Sequence, residues 1–96
     1  MATYEFIPVL DPEPVNQVVR IDRAKYDMVH DSILANLRVY GPMGSMKLGA
    51  MVEEQLQGDF DGPLMWYYSM VSSDMLACGE ISTVPGSRPP LLEIAL

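Results

Sequence analysis

Cys78 and His30 are the chain's single cysteine and single histidine, and so its one Cys/His combination for nucleophilic catalysis. That chemistry needs a nucleophile, a base within hydrogen-bond reach and a group to orient it, and nothing in the sequence spacing brings these two together. One cysteine makes no internal disulfide. One Cys and one His also fall short of the four ligands of a structural zinc site. Asp59-Phe60-Asp61-Gly62 places two acids beside a glycine, as in a fragment of a calcium loop. The complete loop closes with a glutamate about six residues past its glycine, where this chain has Tyr68, so the segment reads as a turn. Trp66, Tyr67 and Tyr68 offer ring faces on which single-stranded bases could stack. They lack basic neighbours, and aromatics at helical spacing read as core plus interface. There is no glycine-rich phosphate loop and no dinucleotide fingerprint. The expectation is a protein without catalytic residues, metal or cofactor.

The charge balance narrows the partners. Six Lys and Arg against thirteen Asp and Glu leave a net charge of −7. Nucleic-acid affinity rests on cations that neutralise phosphates, so duplex DNA is disfavoured as a partner. Arg20, Arg23 and Lys25 cluster beside Asp22 and Asp27, which reads as a solvated helix entrance. Arg38, Lys47 and Arg88 are scattered. With 49% apolar and 20% charged residues the chain reads as one small globular domain. That apolar share exceeds what one small core hides, which favours self-association. No apolar run approaches the ~20 residues that span a bilayer, so no membrane partner is expected. The opening MATYEFIPVL has no basic segment followed by an apolar core, which makes the cytoplasm the expected location.

The elements that would position these residues follow from pattern. Residues 1–22 read as an extended N-terminal arm: Pro8, Pro12 and Pro14 forbid a helix, and Tyr4, Phe6 and Ile7 need an apolar surface to lie on. Val18, Val19 and Ile21 suit a short extended stretch. Residues 23–96 read as the folded domain. Asp22 suits the N-cap of a first helix over 23–39, in which Tyr26, Val29, Ile33, Leu37 and Tyr40 share one face. Gly41-Pro42 ends it. Ser45 is expected to cap a second helix over 46–57, with Leu48, Val52 and Leu56 on its apolar stripe. A third helix over 63–78 starts at Pro63 and stops at Gly79. Leu64, Tyr67 or Tyr68, Val71 and Met75 form its core stripe. Residues 80–84 and 91–96 alternate as two antiparallel strands around a proline-rich turn that holds Arg88. The expected class is α+β: three helices, then a two-stranded hairpin.

Helix, helix, helix, hairpin is the order of a winged helix-turn-helix domain, and Asp74-Met75-Leu76-Ala77-Cys78-Gly79-Glu80-Ile81 resembles the end of its recognition helix. Val9-Leu10-Asp11-Pro12, Val19-Arg20-Ile21-Asp22-Arg23-Ala24-Lys25-Tyr26 and Trp66-Tyr67 with Val71 resemble a group of short bacterial proteins of unknown function that look winged-helix in plan. The resemblance implies a winged-helix-like fold in which the hairpin is the wing. It also implies a third helix built to enter the DNA major groove. Here the chain departs from the pattern, because that helix holds no lysine or arginine, and Ser69, Ser72, Ser73, Leu76 and Cys78 stand where bases are common.

A third helix so composed suits a protein-binding face. Met28, Met43, Met46, Met51, Met65, Met70 and Met75 add flexible thioethers of the kind found at adaptable surfaces. The expected face comprises Met65, Trp66, Ser69, Met70, Ser73 and Leu76, with Arg88 in the wing. Tyr4, Phe6 and Ile7 are the expected dimer arm. The leading expectation is a non-enzymatic homodimeric interaction module that binds a protein or a small apolar ligand. The alternative is a DNA-binding transcriptional regulator whose few cations are gathered by dimer symmetry.

Overall fold

A computed structural model describes residues 6–10 and 18–95, with side chains described from Ile21 onward. Among these residues three helices and five short strands follow one another. The first two strands, β1 (Phe6–Leu10) and β2 (Val18–Asp22), pair antiparallel with Phe6 opposite Asp22 and Leu10 opposite Val18. Within the segment expected as an extended arm, residues 6–10 and 18–22 therefore form a two-stranded ladder. Pro8 fits it because β1 is an edge strand, the part of a sheet to which proline is confined. Ile21, at 1% exposure, belongs to the common core. Phe6 and Ile7 lie on β1, and Tyr4 lies outside the described residues.

Helix α1 (Arg23–Tyr40) begins where Asp22 Oδ1 accepts the Ala24 N–H at 2.9 Å, satisfying one orphan donor of the first turn. It ends at Gly41, whose N–H donates to the Leu37 carbonyl at 2.9 Å. Tyr26, Val29, Ile33 and Leu37 are buried along one face, as their spacing requires. Tyr40 is not: as the last residue of α1 it lies beyond the end of the buried stripe and is exposed.

Strand β3 (Met43–Gly44) follows. Helix α2 (Ser45–Leu56) then starts with Gly44 at the cap position and no side-chain cap bond. The expected Ser45 cap is replaced by a tertiary role. Its carbonyl accepts a hydrogen bond from Tyr68 Oη at 2.8 Å, with Ser45 Oγ 3.1 Å from the same hydroxyl. Leu48 and Val52 are buried and Leu56 half-buried. Helix α3 (Leu64–Cys78) closes at Gly79, which takes the left-handed conformation (φ 79°) that glycine reaches without a Cβ penalty.

Strands β4 (Ile81–Thr83) and β5 (Leu91–Ile94) pair antiparallel, Ile81 opposite Ile94 and Thr83 opposite Leu92. β5 also pairs with β3, giving the order β3-β5-β4. The described residues thus form an α+β unit of three helices with small antiparallel sheets. One core joins them: Val29 and Ile33 from α1, Leu48 and Val52 from α2, Val71 and Met75 from α3, and Ile81 and Leu92 from the sheet.

Polar links fix the helices inside that core. The Asn36 and Gln55 side-chain amides bond reciprocally, both contacts at 2.9 Å, and Asn36 also donates to the Ser32 carbonyl at 2.8 Å. These bonds compensate Asn36 for the loss of water. Lys25 reaches over two rings, its Nζ 5.8 Å from the Phe60 centroid and 5.6 Å from that of Tyr67. This cation–π contact pins the loop ahead of α3.

Candidate functional site

The outer face of α3 is set by which of its residues the core takes. Leu64, Tyr67, Tyr68, Met70, Val71, Ser72 and Met75 are buried. The residues left outside are Met65, Trp66, Ser69, Leu76, Ala77 and Cys78, with Ser73 and Asp74 half-exposed. Asp74 and Cys78 lie apart, and at about 100° per residue the other six fall within one arc of the helix. None is charged, and the only ionisable side chains on α3 besides its tyrosines are Asp74 and Cys78. Met65, Trp66 and Leu76 are 42%, 41% and 41% exposed, so large apolar groups stand half in water along the whole helix.

Trp66 is braced, its ring meeting Tyr67 edge to face with centroids 5.2 Å apart, a favoured aromatic geometry. Met65 is held from the other side by α2. A Cβ built at Gly49 would come within 3.2 Å of Met65 Cε and 2.8 Å of Tyr68 Cε2, so α2 and α3 touch closely at that glycine. Burial pushes the Tyr68 phenol up from its ordinary pKa, against the opposing effect of its bond to Ser45. Met46, one turn before Gly49 on α2, is also exposed.

Met65, Trp66, Ser69, Ser73 and Leu76 thus share the expected face. Met70 does not. It is 2% exposed and belongs to the core, because its position on the helix points between the outer arc and Tyr67. Arg88 is exposed in the connection between β4 and β5, apart from α3 in sequence and element.

A second group of residues was invisible in the sequence. Tyr26 Oη donates to Asp74 Oδ2 at 2.5 Å, and His30 Nε2 lies 2.5 Å from Glu80 Oε2. His30 Nδ1 is 3.1 Å from Asp31 Oδ1, and the Tyr26 and His30 rings stack at 5.8 Å. Cys78 stands in the field of the same acids: the Asp74 charge first, then burial and Glu80, hold its thiol above its ordinary pKa. The fold therefore brings His30 and Cys78 toward shared carboxylates, which spacing alone could not show. The chemistry remains unfavourable for a nucleophile, because a raised thiol pKa leaves little thiolate. Burial, the bond to Asp74 and the surrounding acids likewise drive the Tyr26 phenol far up, so it stays a hydrogen-bond donor. Among the described residues no group of three or more His, Cys, Asp and Glu could hold a metal ion. No described helix is long and apolar enough to cross a membrane.

The architecture and face define a small α+β protein with an uncharged, partly apolar outer helix. Residues 6–91 match the model of a family of unknown function, DUF6958, and the chain belongs to that family. No curated protein and no solved structure matches it.

Proposed function

We propose that the chain is a non-enzymatic winged-helix-like interaction module that works as a homodimer and binds a protein or small apolar ligand through the outer face of α3. The observation that carries this reading is that face itself: Met65, Trp66 and Leu76 stand half in water around Ser69 and Ser73, without a cation. Three helices followed by the antiparallel β4–β5 pair support the winged-helix arrangement, with the 84–90 connection and Arg88 as its wing. In that arrangement α3 would be the groove-reading helix. Bidentate arginine or lysine contact with guanine is the commonest specific base contact, and α3 has neither residue. Apolar area gains about 25 cal/mol per Å² on leaving water, so the same face gains by docking against protein. Its methionines can repack around the partner.

Titration of the protein against a selected pool of labelled duplexes at physiological salt tests the exclusion of DNA. No sequence-specific complex is expected. A specific dissociation constant of about 10⁻⁸ M or tighter, typical of DNA-binding regulators, would overturn the reading. In that case Arg88→Ala should weaken binding most.

A further inference from the structure

Two polar links fasten the end of α3 to α1: Tyr26 with Asp74, and His30 with Glu80. The second lands on a corner. Glu80 follows the Gly79 stop of α3, its N–H donates to the Met75 carbonyl at 2.9 Å, and its carbonyl accepts the Ala95 N–H at 3.0 Å. Helix α3, strand β4 and the end of the β5 segment therefore meet at one residue. We propose that a proton on His30 acts as a pH-sensitive latch that holds this α3–β4 corner to α1.

The geometry favours the proton. His30 has a carboxylate oxygen against each ring nitrogen, Asp31 at Nδ1 and Glu80 at Nε2. An imidazolium donates from both nitrogens, whereas a neutral ring donates from one and presents a lone pair at the other. Neutral His30 therefore sets a lone pair against one of two anions, and one link must loosen. The surroundings favour the charged form. Tyr26 and Asp31 face the ring from α1 and Glu80 from the corner, with Asp74 and Cys78 beside Tyr26 on α3. The charged residue of β5 is Glu93. β2 ends in Asp22, which is engaged in the cap of α1. Nearby in α1, Arg23 lies 3.9 Å from Asp27, and Lys25 sits over Phe60 and Tyr67. Burial alone would push the His30 pKa down, but the bonds to Glu80 and Asp31 and their charges outweigh it and hold it above 6.5.

The sign of the effect follows. The folded state binds this proton more tightly than the unfolded chain, so the latch contributes fully below about pH 6.5. Its contribution is lost as pH rises through the higher folded value. The Tyr26–Asp74 link keeps its proton throughout this range, so the corner loosens on one side only.

Proton NMR tests this cleanly, because the sequence has one histidine and its ring signal is unambiguous. The His30 ring should titrate with a midpoint above 6.5, and the backbone amides of Glu80 and Ile81 should shift with the same midpoint. Glu80→Gln, a change at an exposed residue, should move the ring midpoint down. His30→Gln, once shown to fold by circular dichroism, should abolish the titration of the corner amides. A wild-type midpoint at or below about 6.5, the ordinary histidine value, or corner amides that ignore the ring's titration, would overturn the latch.

Discussion

Gly49→Val is expected to destabilise the protein by about 2 kcal/mol, within the range for overpacking a filled core. It does so although glycine is the worst helix former but proline. A Cβ at this position lands 2.8 Å from Tyr68 Cε2 and 3.2 Å from Tyr68 Cδ2. The ring has little room to yield: Tyr68 is 4% exposed, and its hydroxyl is tied to Ser45, one turn before Gly49 on α2. Replacing glycine by alanine inside a helix gains about 1 kcal/mol. Valine keeps only part of that gain, because branching at Cβ costs χ1 freedom, and it adds two methyl groups to the clash. The loss should win. Gly49→Ala should show a smaller effect, since only its Cβ must be accommodated. Thermal unfolding measures both; a valine variant as stable as the wild type would mean that α2 and α3 are not in contact at this glycine.

Met70→Ala and Met65→Ala should separate by an equally wide margin, although both residues are methionines on the same helix. Met70 is 2% exposed and Met65 is 42% exposed. Truncating a buried methionine removes its transfer free energy and leaves a cavity, about 2–5 kcal/mol together. For a domain of this size each kcal/mol lowers the melting temperature by roughly 4–8 °C. Met70→Ala should therefore melt roughly ten degrees or more below the wild type. Met65→Ala should stay within a few degrees, because much of that side chain is already in water. Urea unfolding of the pair checks the assignment of the two faces. Equal losses would place both methionines in one environment.

These two residues also show how far the sequence could be read. Elements with strong end signals were legible: Asp22 capping α1, Gly41 ending it, and Gly79 stopping α3 all follow from side-chain chemistry at single positions. The face of α1 was legible down to Leu37, because polar residues mark its other side. The faces of α3 were less so. That helix carries apolar residues around most of its circumference, so periodicity could not tell Met70 in the core from Met65 outside it. Strand β3, two residues long, is made by its pairing with β5 and has no local signal. The β1–β2 ladder was hidden by prolines that exclude a helix but leave an edge strand open. The Tyr26–Asp74 and His30–Glu80 links join residues far apart in sequence, and only tertiary packing of α1 against the end of α3 creates them. For the candidate face, the absence of cations on α3 was readable from composition. The bracing of Met65 at Gly49 was not, because it depends on the approach of two helices.

A second copy of the chain is the protein proposed to cover the outer face of α3. Light scattering coupled to size exclusion, at tens of micromolar protein, tests it most directly. Two-fold pairing is the commonest closed assembly. A stable interface buries more than about 1,000 Å², which a face centred on Trp66 and Leu76 would help to supply. The wild-type protein is expected at twice the mass of one 10.7 kDa chain. Met65→Ser with Leu76→Ser, which alters exposed positions and spares the core, should shift it to one chain while leaving its circular dichroism intact. A wild-type mass of one chain would contradict the claim, as would a double variant that remains fully dimeric.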